Sequence, residues 1–196
     1  MDFIFEISNH LPKELCEKMI ESFEKDDRKS AGRSGPSGQI STVKKSIDLN
    51  ISGISGWEDV DKQLHIKLGE GIDLYRKHLQ KMGVDSMEHS FDKCNDRGYQ
   101  IQKTTKGEYY GWHNDEMFSQ NRFITFIWYL NDLHPVYDGG GTAFHPAGCN
   151  DGKIITPEQG KLIMFPATWT YIHAGLPVVS DIKKYLCTGW LCSENA

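Results

Sequence analysis

The sequence predicts a mainly β domain with N-terminal helices: a double-stranded β-helix, or jelly roll, with the helices packed on one sheet. Two observations predict it. The first 97 residues contain two apolar stripes at helical spacing. From about residue 98 the chain changes to short aromatic and β-branched runs separated by Gly, Pro, Asn and Asp, the pattern of many short strands in a closed or sandwiched body. The 196 residues suit one domain, and no linker-like stretch divides them. Residues 1–97 read as a helical support and loop region, and residues 98–192 as the β core that carries the site.

Each element has its own signal. "SNHLPKELCEKMIESFEKDDRK" reads as a first helix, with Pro12 in its first turn and Leu15, Met19, Ile20 and Phe23 on one side. "KSAGRSGPSGQ" (Lys29–Gln39) is rich in Gly, Ser and Pro and reads as a loop, either a cover over substrate or a plain linker. "ISTVKKSIDLNIS" reads as a strand. "GWEDVDKQLHIKLGEGIDLYRKHLQKMG" reads as a second helix. Trp57, Val60, Leu64, Ile66, Leu68, Ile72, Tyr75 and Leu79 form its apolar side, with an irregularity near Gly69 and Gly71. The strands of the second half are expected in "GYQIQKTT", "RFITFIWYL", "GTAFHP", "KLIMFPA", "TYIHAG" and "KKYLCTGWL".

Composition narrows the functional classes. A net charge of −5 and a pI near 5.9, with no long basic run, leave no nucleic-acid footprint. No apolar run approaches the roughly 18 to 20 residues that span a bilayer, and "MDFIFEISNHLP" lacks the basic start of a signal peptide. No membrane partner is expected. The five cysteines are scattered and form no CxxC. They read as thiols in a reducing, cytoplasmic setting, Cys187 and Cys192 as buried ones.

The chemistry concentrates in "EYYGWHND". Residues i and i+2 of a strand share a face, so His113 and Asp115 would aim an imidazole and a carboxylate into the same space. A bound metal is one reason for such a pairing. Of the eight histidines, His10, His65 and His78 fall in helical regions and read as solvated or capping; His89 and His134 sit in polar loops. His145 follows "GGGTAF". His173, in "TYIHAGLPV", is strand-like and lies sixty positions beyond His113. Two imidazoles and one carboxylate on one face of an ion, with open positions opposite, form the facial triad of non-haem iron(II) sites.

"RFITFIWYLND", "GGGTAFHP", "EQGKLIMFPA" and "YIHAGLPV" follow in order between and around the two histidines. From Gly98 to Leu191 this resembles the prolyl 4-hydroxylase-like branch of the 2-oxoglutarate/iron(II) dioxygenases. The resemblance implies that His113, Asp115 and His173 are catalytic and hold Fe(II), and that 2-oxoglutarate and O2 are cosubstrates, with ascorbate as a supporting reductant. It implies a basic residue for the distal carboxylate of 2-oxoglutarate about nine to eleven positions past His173. Lys183 and Lys184 compete for that role and point to opposite faces of a strand. The resemblance favours Lys184, because Lys184, Tyr185 and Trp190 fit the family's basic–aromatic–Trp pattern, with Lys183 as the alternative. Tyr129 and Thr142 would complete the carboxylate's polar contacts.

Relatives carry a Tyr where this chain has Lys103 and Thr104, and Tyr99 or Tyr110 would have to replace it. Arg122, Tyr110 and Trp190 are candidate substrate contacts; a solvated strand-end charge and two packed aromatics are the alternatives. Trp112 reads as packing, and Trp128 should face the core or a helix. The implied reaction is hydroxylation of a C–H bond in a prolyl residue of a peptide or protein, with release of succinate and carbon dioxide. Rival readings are the same chemistry on a free amino acid or other small molecule, and a non-catalytic cupin-like metal- or sugar-binding β-sandwich.

Overall fold

The computed structural model describes residues 2–34, 39–40, 42–84, 88–146 and 152–193. The chain runs β1 (Phe5–Ile7), α1 (Lys13–Lys25), β2 (Ser30–Ala31), β3 (Arg33–Ser34), β4 (Gln39–Ile40), β5 (Ile47–Asn50), α2 (Glu58–Lys81), α3 (Glu88–Asp92), β6 (Cys94–Asp96), β7 (Gln100–Thr104) and β8 (Tyr110–His113). It continues through β9 (Arg122–Tyr129), β10 (Thr142–Phe144), β11 (Lys153–Ile155), β12 (Leu162–Pro166), β13 (His173–Gly175) and β14 (Lys184–Ser193).

Among the described residues the strands form a major antiparallel sheet in the order β1-β12-β9-β14-β7-β5-β2, with β6 beside β14, and a minor sheet in the order β11-β10-β13-β8. This is the expected double-stranded β-helix with helices on one sheet.

Strand alternation divides the major sheet into two faces. Ile101, Phe126, Trp128, Leu162, Met164, Tyr185 and Cys187 point to the helices, where they pack with Leu15, Met19 and Phe23 of α1 and Val60, Leu64, Leu68, Tyr75 and Leu79 of α2. Each such side chain contributes about 1.5–3 kcal/mol on burial. The opposite face carries Ile127, Tyr129, Ile163, Phe165 and Leu186, which meet Phe144 and Ile155 of the minor sheet. The site lies between the sheets, next to this second cluster.

Several local expectations are corrected. Pro12 caps α1 from outside, since its extended ψ of 142° precedes the first helical residue. The Lys29–Gln39 segment holds β2 and β3 and the start of β4; residues 35–38 lie outside the described residues. Only the end of "ISTVKKSIDLNIS" is a strand, because Thr42 and Val43 turn toward β8. α2 passes through Gly69 and Gly71 unbroken. At Gly71 a Cβ would stand 2.7 Å from Leu162 Cδ2, so the glycine lets helix and sheet approach closely. Ile66 is exposed, being off the stripe that Val60, Leu64, Leu68 and Tyr75 define.

Two helical-region histidines are not solvated. His10 is buried and its Nδ1 accepts a 3.0 Å hydrogen bond from Trp128 Nε1. His78 stacks on Phe5 with ring centroids 4.8 Å apart. His65 is exposed, 3.2 Å from Asp96. His134 sits in an exposed loop, where its Nδ1 accepts from the backbone N–H of Val136. The side chain of His89 lies outside the described residues.

Candidate active site

His113 ends β8 and His173 begins β13, and the two are cross-strand partners. Their rings therefore lie side by side, with centroids 4.2 Å apart. Phe165 packs edge-on beneath His173 at 4.8 Å. Each Nδ1–H donates to a backbone carbonyl two residues back: His113 to Gly111 at 2.7 Å and His173 to Tyr171 at 3.0 Å. That orients both rings and leaves the Nε2 atom of each facing Asp115. His113 Nε2 is 3.7 Å from Asp115 Oδ1, and His173 Nε2 is 3.4 Å from Asp115 Oδ2.

Asp115 reaches this place from an unexpected position. β8 stops at His113, so Asn114 and Asp115 lie beyond the strand and simple i, i+2 alternation does not apply. The Thr125 hydroxyl, from β9 of the other sheet, donates to Asp115 Oδ2 at 2.8 Å and holds the carboxylate between the imidazoles. Burial opposes ionisation of Asp115, but the facing His173 and His113 and the Thr125 hydroxyl outweigh it and keep the carboxyl well below its usual range. Burial, followed by the nearby His173, pulls His113 down to about 4. The resulting set is one anionic oxygen donor and a neutral imidazole beside a second imidazole. One ligand atom from each residue lies within 4.8 Å of the others. Such hard and borderline donors, with their second ring nitrogens already occupied, fit a divalent transition-metal ion.

A cavity opens beside the three residues, walled by Ile127 and Leu186 and reached by Thr142, Lys184 and Thr188. Lys184 is buried in its wall, whereas Lys183 is exposed, as strand alternation requires. No carboxylate of the described residues lies within ion-pair distance of Lys184, and burial alone lowers its pKa to about 8. A buried ammonium facing a cavity without an anion is costly, and an anionic ligand would relieve it. Tyr129 is fully buried behind this wall and donates to Thr142 Oγ1 at 2.6 Å, so Thr142, and not Tyr129, lines the cavity. Burial raises the Tyr129 phenol well above its ordinary pKa and keeps it a donor. Gly140 stands beside Lys184 with φ at +68°, and a Cβ there would lie 3.5 Å from the Lys184 Cδ.

The remaining candidates fall into two groups. Tyr110 lines the cavity and lies flat on His113, with centroids 3.5 Å apart at 12°. Trp190 also lines it, with the Arg122 guanidinium carbon 3.5 Å above its indole. Arg122 is thus a stacked, half-buried cation and not a solvated strand end. Tyr99 faces the helices and bonds Asp96 at 3.2 Å, away from the cavity. Trp112 is 55% exposed, against the packing expected of it, and touches His145 edge-on at 5.6 Å. Trp128 is buried against the helices, as expected. Cys187 and Cys192 are buried thiols, and burial raises the Cys187 pKa further.

Sequence reasoning missed the contribution of the N-terminal half. Lys44 forms a β-bridge to Tyr110, flanked by hydrogen bonds from Gly111 N–H to Val43 and from Lys45 N–H to Tyr109. Its Nζ is 2.6 Å from Asp48 Oδ2, Ser46 donates to Asp48 Oδ1 at 2.7 Å, and the ammonium sits 5.2 Å from the Tyr110 ring. A buried Lys–Asp pair in this segment left only the spacing K-x-x-x-D as a signal, which is common on any surface.

The chain is similar to several known proteins. Residues 99–192 match the family model described as the 2OG-Fe(II) oxygenase superfamily. A PKHD-type hydroxylase from Synechococcus sp. (strain CC9605) is 32% identical over 93 residues, 46% of this chain and 40% of the relative. The chain thus spans about two fifths of the length of the curated relatives it matches.

Two solved structures share the fold over nearly the whole chain. The viral collagen prolyl hydroxylase of Paramecium Bursaria Chlorella virus-1 superposes with a TM-score of 0.68 at 21% identity, covering 99% of this chain and 97% of that one. The Trichoplax adhaerens prolyl hydroxylase, solved with a hypoxia inducible factor peptide fragment, gives 0.75 at 16% identity, covering 98% and 84%. Residues 99–192, a little under half of this chain, are thus the part that is similar to the 2OG-Fe(II) oxygenase superfamily.

Proposed function

We propose that the protein is an iron(II)- and 2-oxoglutarate-dependent oxygenase that hydroxylates a C–H bond, with a prolyl residue of a peptide or protein as its substrate. One observation carries the reading: Lys184, a buried cation without an anionic partner among the described residues, shares a cavity with the His113–Asp115–His173 cluster. A metal-binding or sugar-binding sandwich needs only the cluster. The lysine adds a carboxylate site at the cavity's inner end, where a dicarboxylate can reach a metal with its other end.

In this reading His113, Asp115 and His173 hold the iron. Lys184 binds the far carboxylate of 2-oxoglutarate, and Thr142, oriented by Tyr129, supplies a hydroxyl to it. When bound, the iron and 2-oxoglutarate supply with O2 an oxidant able to attack an unactivated C–H bond, leaving succinate and carbon dioxide. Thr125 orients the Asp115 carboxylate, and the Gly111 and Tyr171 carbonyls orient the imidazoles. Ile127 and Leu186 keep water from the inner cavity. Arg122, Tyr110 and Trp190 stand on the substrate side. The prolyl substrate is carried over from the structural neighbours, which are prolyl hydroxylases.

The reading takes the chain as a single oxygenase domain, with residues 1–97 supporting the 98–192 core. It includes ascorbate as the reductant that keeps iron ferrous. It places the protein in the cytoplasm, where the thiols of Cys16, Cys187 and Cys192 stay reduced. No helix among the described residues is long and apolar enough to cross a membrane.

The test is succinate release from 2-oxoglutarate with iron(II), screened over proline-containing peptides, free amino acids and small metabolites. Stimulation by peptides supports the reading. Stimulation only by a free amino acid or metabolite assigns the same chemistry to a small substrate.

A further inference from the structure

Lys184 is the first residue of β14, and residues 179–183 before it belong to no strand. Strand ends fray easily, and this one carries the buried ammonium of the inner cavity. A long cationic side chain on a loose backbone turns its charge out to water. The main chain at Lys184 must therefore be held on both sides. On one side is β7, where Thr104 is the cross-strand partner of Lys184. The other side faces β9, and β9 stops at Tyr129, opposite Leu186.

Beyond Tyr129 a side chain completes the ladder. Leu130 N–H still donates to the Tyr185 carbonyl at 3.0 Å. In a regular antiparallel pair Tyr185 N–H would donate back to the Leu130 carbonyl. Here the Leu130 carbonyl accepts from Gln159 Nε2 at 3.2 Å, and Tyr185 N–H donates to Asn131 Oδ1 at 2.8 Å. Asn131 Nδ2 donates in turn to the Lys183 carbonyl at 2.9 Å. The carbonyl before a strand residue and the N–H after it point to the same side. One side-chain amide therefore spans Lys184 as a neighbouring strand would, and bonds to the main chain on both flanks of it. Among short side chains only an amide offers a planar donor and acceptor side by side.

We propose that Asn131 is a positioning residue for the cavity cation: its amide stands in for a strand and keeps Lys184 directed into the cavity beside the His113–Asp115–His173 cluster. The proposal deepens the oxygenase reading and rests on it only for what Lys184 binds. Asn131 lies outside the cavity wall, so it acts through Lys184. Without its two bonds the start of β14 loosens, and the ammonium regains water by leaving the cavity.

The experiment has two arms on the intact protein and compares the wild type, Asn131→Ala, Lys184→Ala, the double variant and Gln159→Ala. The first arm uses neither metal nor 2-oxoglutarate and follows the urea midpoint between pH 8 and 10.5. The wild type should gain stability over this range, as Lys184 gives up its buried charge. In Asn131→Ala the gain should shrink toward that of Lys184→Ala, because the ammonium is already in water. A gain as large as the wild type's overturns the proposal.

The second arm titrates 2-oxoglutarate calorimetrically into the cobalt(II)-loaded protein. Asn131→Ala should weaken binding by about tenfold, the scale of the hydrogen bonds removed, with cobalt(II) affinity unchanged. The loss should vanish in the Lys184→Ala background. Gln159→Ala removes a bond to the same turn without touching β14 and should change little. Losses that add in the double variant, or an equal loss in Gln159→Ala, overturn the proposal. If Lys184→Ala leaves 2-oxoglutarate binding unchanged while the pH arm behaves as expected, the positioning role stands and the cosubstrate assignment falls instead.

Discussion

His113 and His173 face each other across β8 and β13 as antiparallel partners, with ring centroids 4.2 Å apart. Residues sixty positions apart in sequence become neighbours because two short strands pair. His113→Ala and His173→Ala should each weaken iron(II) or cobalt(II) binding by more than about 100-fold, as loss of a ligand exceeds loss of a supporting group. Calorimetric titration of the metal checks this. Undiminished binding in His113→Ala would remove this residue from the set.

Thr125 should matter through Asp115 alone. Its hydroxyl bonds Asp115 Oδ2 at 2.8 Å and has no other role in the cavity. Thr125→Val keeps the shape and removes the donor, so metal affinity should drop about 10- to 100-fold. Thr125→Ser should restore most of it. Equal affinities for Val and Ser would show that the hydroxyl does not orient the carboxylate.

Lys184 gives a prediction with a definite pH sign. Burial lowers its pKa from 10.5 to about 8. Below about pH 8 the folded protein carries a buried ammonium, and stability bears that cost in full. From pH 8 to 10.5 the folded state releases the proton before the unfolded state does, so stability should rise with pH, by up to about 3 kcal/mol. Affinity for 2-oxoglutarate should move oppositely and fall as pH rises through about 8. Lys184→Ala should raise the KM for 2-oxoglutarate sharply and spare metal binding, whereas exposed Lys183→Ala should change little. The reverse pattern would place the carboxylate on Lys183.

His10 supplies an acid-side counterpart far from the site. Burial, with a lesser contribution from Lys67, lowers its pKa from 6.5 to about 4. The unfolded state therefore takes up a proton first as pH falls. Stability should be constant above pH 6.5 and decline between 6.5 and 4, by about 3 kcal/mol at most. Urea midpoints at pH 7.5 and 5.0 measure this, and the difference should shrink in His10→Gln.

Much of this was legible in the sequence because it depends on local patterning. Period-two alternation separates Lys184 from Lys183, and the same rule puts Trp128 against the helices and Tyr129 into the apolar cluster between the sheets. The helical stripe of α2 follows from its spacing, except at Ile66. What stayed hidden depends on non-local pairing. Asp115 is placed by Thr125 from another sheet, after its own strand has ended. Lys44 reaches the cavity because its segment bridges to Tyr110, and Asp48 is held beneath it by the Lys44 ammonium. His10 looked like a helix-end polar residue until Trp128 Nε1, 118 positions away, was seen to need an acceptor.

The central claim is that the His–Asp–His cluster and Lys184 form one site for iron(II) and 2-oxoglutarate. Succinate formed from 2-oxoglutarate in air, measured for the wild type, His173→Ala and Lys184→Ala over a range of 2-oxoglutarate concentrations, tests it most directly. The account predicts iron-dependent succinate in the wild type and none in His173→Ala. Lys184→Ala should form succinate only at much higher 2-oxoglutarate. Wild-type rates in His173→Ala, or an unchanged 2-oxoglutarate requirement in Lys184→Ala, would contradict it.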